Sequence, residues 1–325
     1  MTADLNRRGF IGWGAGMLLA HALPPLFAAP AVSAEAKPIA DLLIDRHLKV
    51  SSVSLAIGAE KPFKALHFSD THLSLSDVHD LLAGEEKALA LYEARRPRFP
   101  VSVQALAATI AYAGKKGMTL LNTGDLFDYR SEANLDCVGR CFAGKDIFSS
   151  LGNHESYGHH AREMCPQTAE AADSLRKRYE TAIGNPLLVA SRVVSGVNFV
   201  AFDNGGLERW LLRERLVAIK AALAKNFPVV LMCHMPFETE AMREAIARHE
   251  SVKRGKAWTM PANTGGYLMG KTDAELLDFL RTRKSEIKAI LAGHLHFEWQ
   301  GEWEGVPMLV AGGNYEGRVR EISFT

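Results

Sequence analysis

The chain has 325 residues, of which 47% are apolar and 23% charged, the proportions of an ordinary globular protein rather than a disordered one. Its 38 basic residues almost balance its 37 acidic residues. This balance excludes a global electrostatic field that would attract nucleic acid or an anionic membrane, so any anionic ligand must be held by a local site.

The first 36 residues have the layout of an export signal. Arg7 and Arg8 precede residues 9–34, which contain no Lys, Arg, Asp or Glu. Paired arginines before a moderately apolar stretch that ends in small residues are typical of a twin-arginine signal, with cleavage after Ala34 or Ala36. The alternative is an uncleaved membrane anchor, because the stretch is long enough to span a bilayer.

We therefore expect a twin-arginine signal at 1–36 and one domain at 37–325. The twin-arginine translocase would be a partner during export, and the mature protein would be periplasmic or in the cell envelope, without stable membrane association. In that oxidising compartment cysteines can pair, but the connectivity stays open. Cys137 and Cys141 share a helical face, Cys165 is an equal candidate partner for either, and Cys233 lies in an apolar run typical of a buried thiol.

Along the mature chain, predicted strands alternate with predicted helices, which indicates an α/β domain. Strands are predicted at 53–57, 63–68, 118–122, 147–151, 187–189, 193–202, 229–233, 287–291, 306–311 and 318–324. Helices are predicted at 77–96, 101–112, 169–183, 208–224 and 272–283, the last with Thr272 as its N-cap.

Five of the predicted strands end directly in polar residues. The clusters are Asp70-x-His72, Gly124-Asp125-x-x-Asp128, Gly152-Asn153-His154-Glu155, His234, and Gly293-His294-x-His296. Ligands of α/β sheets bind at the carboxyl ends of strands, so these residue types predict a single metal site there. Each cluster alone is a weak signal, and a lone histidine after a strand is more often structural. The prediction rests on the number of these clusters and on their order along the chain.

In this order the clusters closely resemble the calcineurin-like metallophosphoesterase family, from about Phe63 to the C-terminus. The resemblance implies a four-layer α/β/β/α sandwich, with two mixed sheets face to face and helices outside. It also implies metal-dependent hydrolysis of a phosphate mono- or diester, in which a hydroxide activated by two metal ions is the nucleophile. The partner would be a small phosphorylated substrate, and no nucleic acid is expected.

The resemblance further implies which residues hold the metals. The first ion would be held by Asp70, His72, Asp125 and His296. Asp125 would bridge to a second ion, completed by Asn153, His234 and His294. Mixed carboxylate, amide and imidazole donors suit divalent Mn, Fe or Zn.

Two further residues are predicted to act in catalysis. By resemblance, His154 faces the oxygen of the leaving group, where it can donate a proton. Asp128 would orient His154; the alternative for Asp128 is a capping residue of the helix that follows. Tyr129 and Leu151 stand where Ser/Thr protein phosphatases of this family carry arginines, which argues against phosphoprotein specificity. Tyr-ligated acid phosphatases place tyrosine where this chain has Asp128.

Weaker candidates surround these clusters. Arg130 is either a phosphate contact or a surface charge, while His159 and His160 are expected to be solvated. Asn204 is expected to form a turn. Residues 251–270 form either a lid over the site or a packed surface loop.

Two other functions compete with the phosphoesterase interpretation. One is a nuclease of the same superfamily, disfavoured by the near-zero charge and the absence of a basic cluster. The other is a catalytically silent binding or scaffold relative, disfavoured because no expected metal ligand is missing.

Overall fold

The computed structural model describes residues 37–82, 86–157, 168–204, 212–262, 266–269 and 274–325. The expected export signal, Cys165, His159, His160 and Thr272 therefore lie outside the described residues. Among the described helices, none is both long enough and apolar enough to cross a membrane.

The strands of the described residues form two sheets. In chain order they are β1 (Lys49–Leu55), β2 (Phe63–Phe68), β3 (Thr119–Asn122), β4 (Ile147–Ser149), β5 (Val189–Val194), β6 (Val197–Phe202), β7 (Val229–Met232), β8 (Ile287–Ala292), β9 (Trp299–Trp303), β10 (Val306–Val310) and β11 (Arg318–Phe324). One sheet has the order β1-β11-β2-β3-β4, and the other has the order β5-β6-β7-β8-β10-β9. Both sheets are mixed, since β11–β2 and β10–β9 are antiparallel whereas β2–β3 and β7–β8 are parallel.

Helices cover the outer faces of the sheets. They are α1 (Ile39–His47), α2 (Val78–Leu82), α3 (Glu86–Arg95), α4 (Ser102–Lys116), α5 (Glu132–Phe142), α6 (Asn153–Tyr157), α7 (Ala169–Ile183), α8 (Leu212–Leu223), α9 (Glu240–Arg254) and α10 (Ala274–Thr282). In the first sheet, Leu120 packs outward with α4, α5 and α7, while the next residue, Leu121, packs inward. In the second sheet, Leu231 packs outward with α8, α9 and α10, while Val230 packs inward.

This alternation follows from the two-residue period of a strand, which sends successive side chains to opposite faces. Both inner faces supply one buried apolar core, to which Phe199 and Ile322 belong. Layers of helix, sheet, sheet and helix result, as the family resemblance implied.

Several element predictions were wrong in detail. Of the helix predicted at 77–96 the structure describes α2 and α3, and residues 83–85 between them lie outside the described residues. The strand at 193–202 is a hairpin, because Ser195 and Gly196 take the left-handed backbone (φ 47° and 74°) that a tight turn between β5 and β6 needs. Strand β1 begins at Lys49 rather than at 53, and neither α9 nor β9 was predicted.

Candidate metal centre

The polar clusters of the sequence meet at one edge of the sandwich. Strands β2, β3 and β4 are parallel neighbours, and so are β7 and β8, so the carboxyl ends within each set point the same way. The loops that follow these ends bring all seven predicted metal ligands together across the two sheets.

The first cluster contains Asp70, His72, Asp125 and His296, whose donor atoms all lie within 4.8 Å of one another. The Nε2 atoms of His72 and His296 are 2.9 Å apart. Asp70 Oδ1 lies 3.4 Å from Nε2 of His296 and 3.9 Å from Nε2 of His72. Three of the four side chains are buried, and His296 borders the cleft.

The second cluster shares Asp125 with the first. Asp125 Oδ2 lies 3.2 Å from Nε2 of His234, and Oδ1 of Asn153 lies 3.0 Å from that same nitrogen. His294 Nδ1 is 3.2 Å from it. One carboxylate therefore stands between two sets of ligand-type atoms.

The spacing of these atoms suits metal ions. Two donors bound to one ion at about 2.1 Å lie roughly 3 Å apart when they are at right angles to each other. The separations above run from 2.9 to 3.9 Å. The donors are carboxylates, an amide oxygen and imidazoles. The residues therefore fit two divalent cations.

Five of the seven side chains stand on strained backbone. Asp70, His72, Asp125, His294 and His296 have φ values of 57°, 50°, 52°, 73° and 61°. Left-handed backbone is unfavourable for residues with a Cβ atom, and such strain persists only where the surrounding structure enforces it. Its concentration in these loops marks them as a functional site.

Close packing of the loops explains two of the motif glycines. A Cβ atom at Gly152 would lie 2.1 Å from Oδ1 and 2.2 Å from the backbone nitrogen of Asp125. A Cβ atom at Gly293 would lie 1.8 Å from Oγ of Ser69 and 2.8 Å from Oδ2 of Asp70. Only glycine lets these loops approach the carboxylates so closely.

Glu155 has a role that the sequence motif did not reveal. Its buried carboxylate accepts hydrogen bonds from the backbone N–H groups of Gly152 (2.8 Å), Asp125 (3.1 Å) and Phe127 (2.9 Å). It thus holds the loop after β3 against the loop after β4. Burial and the charge of Asp125 raise the pKa of Glu155 to about 7.

Backbone carbonyls fix the orientation of two imidazoles. His234 Nδ1 donates to the carbonyl of Thr123 (2.7 Å), and His294 Nε2 donates to the carbonyl of Gly266 (2.7 Å). A ring nitrogen that donates its proton in this way leaves the other nitrogen free to bind a metal. Asn204 Oδ1 accepts from the backbone N–H of His234 at 3.0 Å and braces that loop, while the turn predicted at Asn204 extends beyond the described residues.

His154 and Asp128 lie together beside the first cluster. His154 Nδ1 donates to the backbone carbonyl of Asp128 (2.7 Å) and lies 3.3 Å from its Oδ1. The same carboxylate oxygen is 3.4 Å from Nδ1 of His72. The capping alternative for Asp128 was wrong, because Ser131 caps α5 by accepting from the backbone N–H of Asn134.

Arg95, at the end of α3, was missed by sequence reasoning. Its guanidinium donates from Nε to Oδ2 of Asp128 (2.6 Å) and from a terminal nitrogen to Oδ1 (2.7 Å). Asp128 is fully buried, and the side chain of Arg95 is 9% exposed. The bidentate geometry is the strongest that an arginine and a carboxylate form. No local motif marks Arg95, because it reaches the site only through the packing of α3.

Phe99 and Tyr315 form an aromatic wall that sequence reasoning also missed. The Phe99 ring stacks on the His72 imidazole with centroids 4.7 Å apart and planes at 9°. Tyr315 meets the His296 ring edge-on at 5.3 Å and the Phe99 ring at 5.0 Å. The wall fixes two of the imidazoles that face the first cluster.

Neighbouring groups shift the pKa values of Asp70 and His154. Burial opposes ionisation of Asp70, but the hydrogen bond and charge of His296 outweigh it and lower the pKa of Asp70 to about 2. Burial lowers the pKa of His154, whereas Asp125 and Asp128 raise it, with a net rise to about 9. Asp70 is thus held as a carboxylate, the form that can bind a cation.

The remaining candidates fall outside the clusters. Cys137 and Cys141 are half-buried thiols, and Cys233 is buried as predicted. In the 251–270 region, residues through Arg254 belong to α9. Trp258 and Tyr267 pack against the core of the second sheet, while Gly266 and Tyr267 border the cleft beside the clusters, so features of both alternatives occur in this segment.

Known proteins share this pattern. Residues 63–298 match the family described as calcineurin-like phosphoesterase. No curated protein sequence matches the chain significantly.

Solved structures of low sequence identity are also similar to the chain. A dimetal phosphatase from Danio rerio is 13% identical, with 78% of this chain and 88% of that chain covered and a TM-score of 0.43. Phosphopantetheinyl hydrolase from Mycobacterium tuberculosis is 15% identical over 78% and 90% of the two chains, with a TM-score of 0.39. The anchor in the inner membrane complex of Plasmodium is 11% identical over 78% and 72%, with a TM-score of 0.40. Likenesses at this level carry no information about the substrate.

Proposed function

The chain belongs to the calcineurin-like phosphoesterase family, and we propose that it hydrolyses a phosphate mono- or diester at two divalent metal ions bound to the paired clusters. As a member of this family it is a metal-dependent phosphoesterase. The proposal adds the division of labour among the residues and the nature of the metals.

The shared position of Asp125 supports this proposal most directly. Its Oδ2 atom lies 3.8 Å from His72 Nε2 in the first cluster and 3.2 Å from His234 Nε2 in the second. A carboxylate between two sets of donors can bind both cations and offset their mutual repulsion. In the proposal, Asp70, His72 and His296 complete the first ion, and Asn153, His234 and His294 complete the second. The donor set favours Mn, Fe or Zn.

When bound, two such ions would offset the negative charge of a phosphoryl group and lower the pKa of a water molecule, so that hydroxide is available as the nucleophile. The protein's own residues orient the imidazole of His154 and transfer a proton from it. His154 lines the cleft, and its Nδ1 proton is held by the carbonyl of Asp128, so its Nε2 atom is directed toward the centre. From Nε2 the imidazolium can protonate the oxygen of the leaving group. Asp128 holds the ring in this orientation.

The experiment is a substrate panel on protein reconstituted with Mn, Fe or Zn: aryl phosphomonoesters, aryl phosphodiesters, nucleotides and single-stranded DNA. Metal-dependent hydrolysis of at least one small ester supports the proposal. A clear preference for single-stranded DNA would point to a nuclease instead. Metal binding without turnover of any substrate would identify a silent relative.

We further propose that residues 1–36 direct export by the twin-arginine route, so that the mature enzyme works in the periplasm or cell envelope. The support is the pair Arg7 and Arg8 ahead of an uncharged stretch. A fusion of residues 1–36 to a reporter that is active only after folded export tests this proposal. Replacement of both arginines by lysine should abolish export; export that persists in this variant would contradict it.

A further inference from the structure

A large cleft leads away from the metal clusters. It has a volume of about 1050 Å³, far more than a phosphoryl group needs. Asp125, Asn153 and His154 line one end, and His249 and Lys253 of α9 line the far wall. A substrate held at the clusters can place its organic group along this wall, so the wall's chemistry bears on the choice of substrate. This inference rests on the proposed function.

The wall carries opposite charges in equal number. Its charged residues away from the clusters are Glu250, Glu298, Glu316, Lys253, Arg254 and Arg318. Arg254 Nε donates to Glu250 at 2.8 Å, and Lys253 Nζ lies 3.8 Å from that same carboxylate. Arg318 pairs with Glu316 at 3.2 Å. Because basic and acidic side chains balance along this wall, it carries no net charge that would attract a second anionic group of a substrate.

The apolar part of this wall is an aromatic ring face, which begins beside the metal ligand His296 and reaches α9. Phe297 follows His296 in the chain, and its ring stacks on the imidazole of His249, with centroids 4.4 Å apart and planes at 24°. Leu295 and Ile246 line the cleft beside this pair. Phe297 is partly exposed, so its ring can contact a ligand. Aromatic faces bind other flat apolar groups by stacking and by removal of apolar surface from water.

We propose that this wall, formed by Phe297 and His249, binds an uncharged aromatic group of the substrate. The substrate class is then a phosphoester with an uncharged aromatic organic group, rather than a polyphosphate, a nucleic acid or a small sugar phosphate. Stacking on Phe297 would hold that group while the phosphoryl group lies at the clusters.

The test is the affinity of metal-loaded protein for phenylphosphonate and for methylphosphonate, measured by calorimetry. Both carry the same anionic head, so the ratio of their dissociation constants reports the wall alone. The wild type should bind phenylphosphonate about tenfold more tightly, and Phe297→Ala should reduce this preference to roughly twofold or less. Phe297→Leu keeps apolar bulk but removes the flat face, and should also reduce the preference. Phe227→Ala, at an exposed phenylalanine outside the cleft, is the matched control and should keep it.

The outcomes separate this inference from the proposed function. Equal affinity for the two phosphonates would overturn the proposed binding of an aromatic group at Phe297 and His249, even if the enzyme hydrolyses esters. An unchanged preference in both Phe297 variants would overturn it as well. Failure of the wild type to bind either phosphonate and to hydrolyse any ester of the panel overturns both proposals.

Discussion

Replacement of Arg95 by methionine removes the guanidinium that holds Asp128 but keeps the apolar stem of the side chain. Asp128 would then be a fully buried carboxylate without its bidentate partner. The change reaches two imidazoles at once, because Oδ1 of Asp128 lies 3.4 Å from Nδ1 of His72 and 3.3 Å from Nδ1 of His154. We predict losses of both stability and function.

The magnitudes follow from the contacts. Removal of one partner from a buried ion pair costs about 3–5 kcal/mol, because the remaining charge is left uncompensated. A domain of ordinary stability, about 5–15 kcal/mol, loses a large share of it but can still fold. Loss of a group that orients a metal-binding imidazole lowers metal affinity or activity about 10–100-fold. Arg95→Met should therefore weaken binding at the first cluster and lower kcat by about that factor.

Three measurements on the same preparations test this prediction: denaturant unfolding, manganese titration and kcat for an aryl phosphate at saturating metal. Arg96→Met, at the neighbouring exposed arginine, is the matched control and should leave all three near wild-type values. Arg95→Lys keeps the positive charge but cannot form the two parallel hydrogen bonds to Asp128, so it should retain stability better than it retains kcat. If Arg95→Met lowers stability yet leaves metal affinity and kcat within about twofold, the positioning role of Arg95 is wrong.

Three further outcomes are expected. Gly152→Ala should lower the metal content and the unfolding temperature, because its Cβ atom would lie 2.1 Å from Oδ1 of Asp125; normal metal content by mass spectrometry would contradict this. His154→Asn should lower kcat by about 10²–10⁴ without loss of metal, since it removes the proton donor but is not itself counted as a ligand. Should the same variant lose metal, His154 would have to be reassigned. Chelation should lower the free energy of unfolding by about 3–4 kcal/mol for each ion removed, relative to protein at 100–1,000 times the metal Kd, and calorimetry with metal added back should show full recovery.

The sequence could predict those parts of the fold that depend on local pattern. Strand β2 ends shortly before Asp70-x-His72, and β8 ends directly before Gly293-His294-x-His296. In both places an apolar run followed by ligand-type residues located the strand and the site. The turn of the β5–β6 hairpin was missed because apolar residues flank Ser195 and Gly196 on both sides and concealed the turn.

Helix α9 was missed although its signals were present. Thr239 caps it by accepting from the backbone N–H of Met242, and Gly255 ends it in the left-handed conformation. Met242, Ala245 and Ile246 have the spacing of a buried helical face. The helix lies between the His234 motif and an irregular segment, and no element was predicted there.

Arg95, Phe99 and Tyr315 had no comparable signal. Arg95 meets Asp128 across 33 residues, and Tyr315 lies against His72 from the far end of the chain. Contacts of this kind are set by how helices and loops pack on the sheets, which a single sequence does not reveal. The left-handed backbone of Asp70 and His294 was equally hidden, because neither residue type requires it.

The most direct test of two ions bridged by Asp125 is the metal content of purified, reconstituted protein, measured together with turnover of an aryl phosphate. The wild type should hold about two ions per chain, and Asp125→Asn should lose at least one and nearly all activity. Asp136→Asn, at an exposed carboxylate on α5, is the matched control and should retain both metal and activity. A wild type that hydrolyses esters with a single ion, or an Asp125→Asn variant that keeps both ions and full turnover, would contradict the bridged centre.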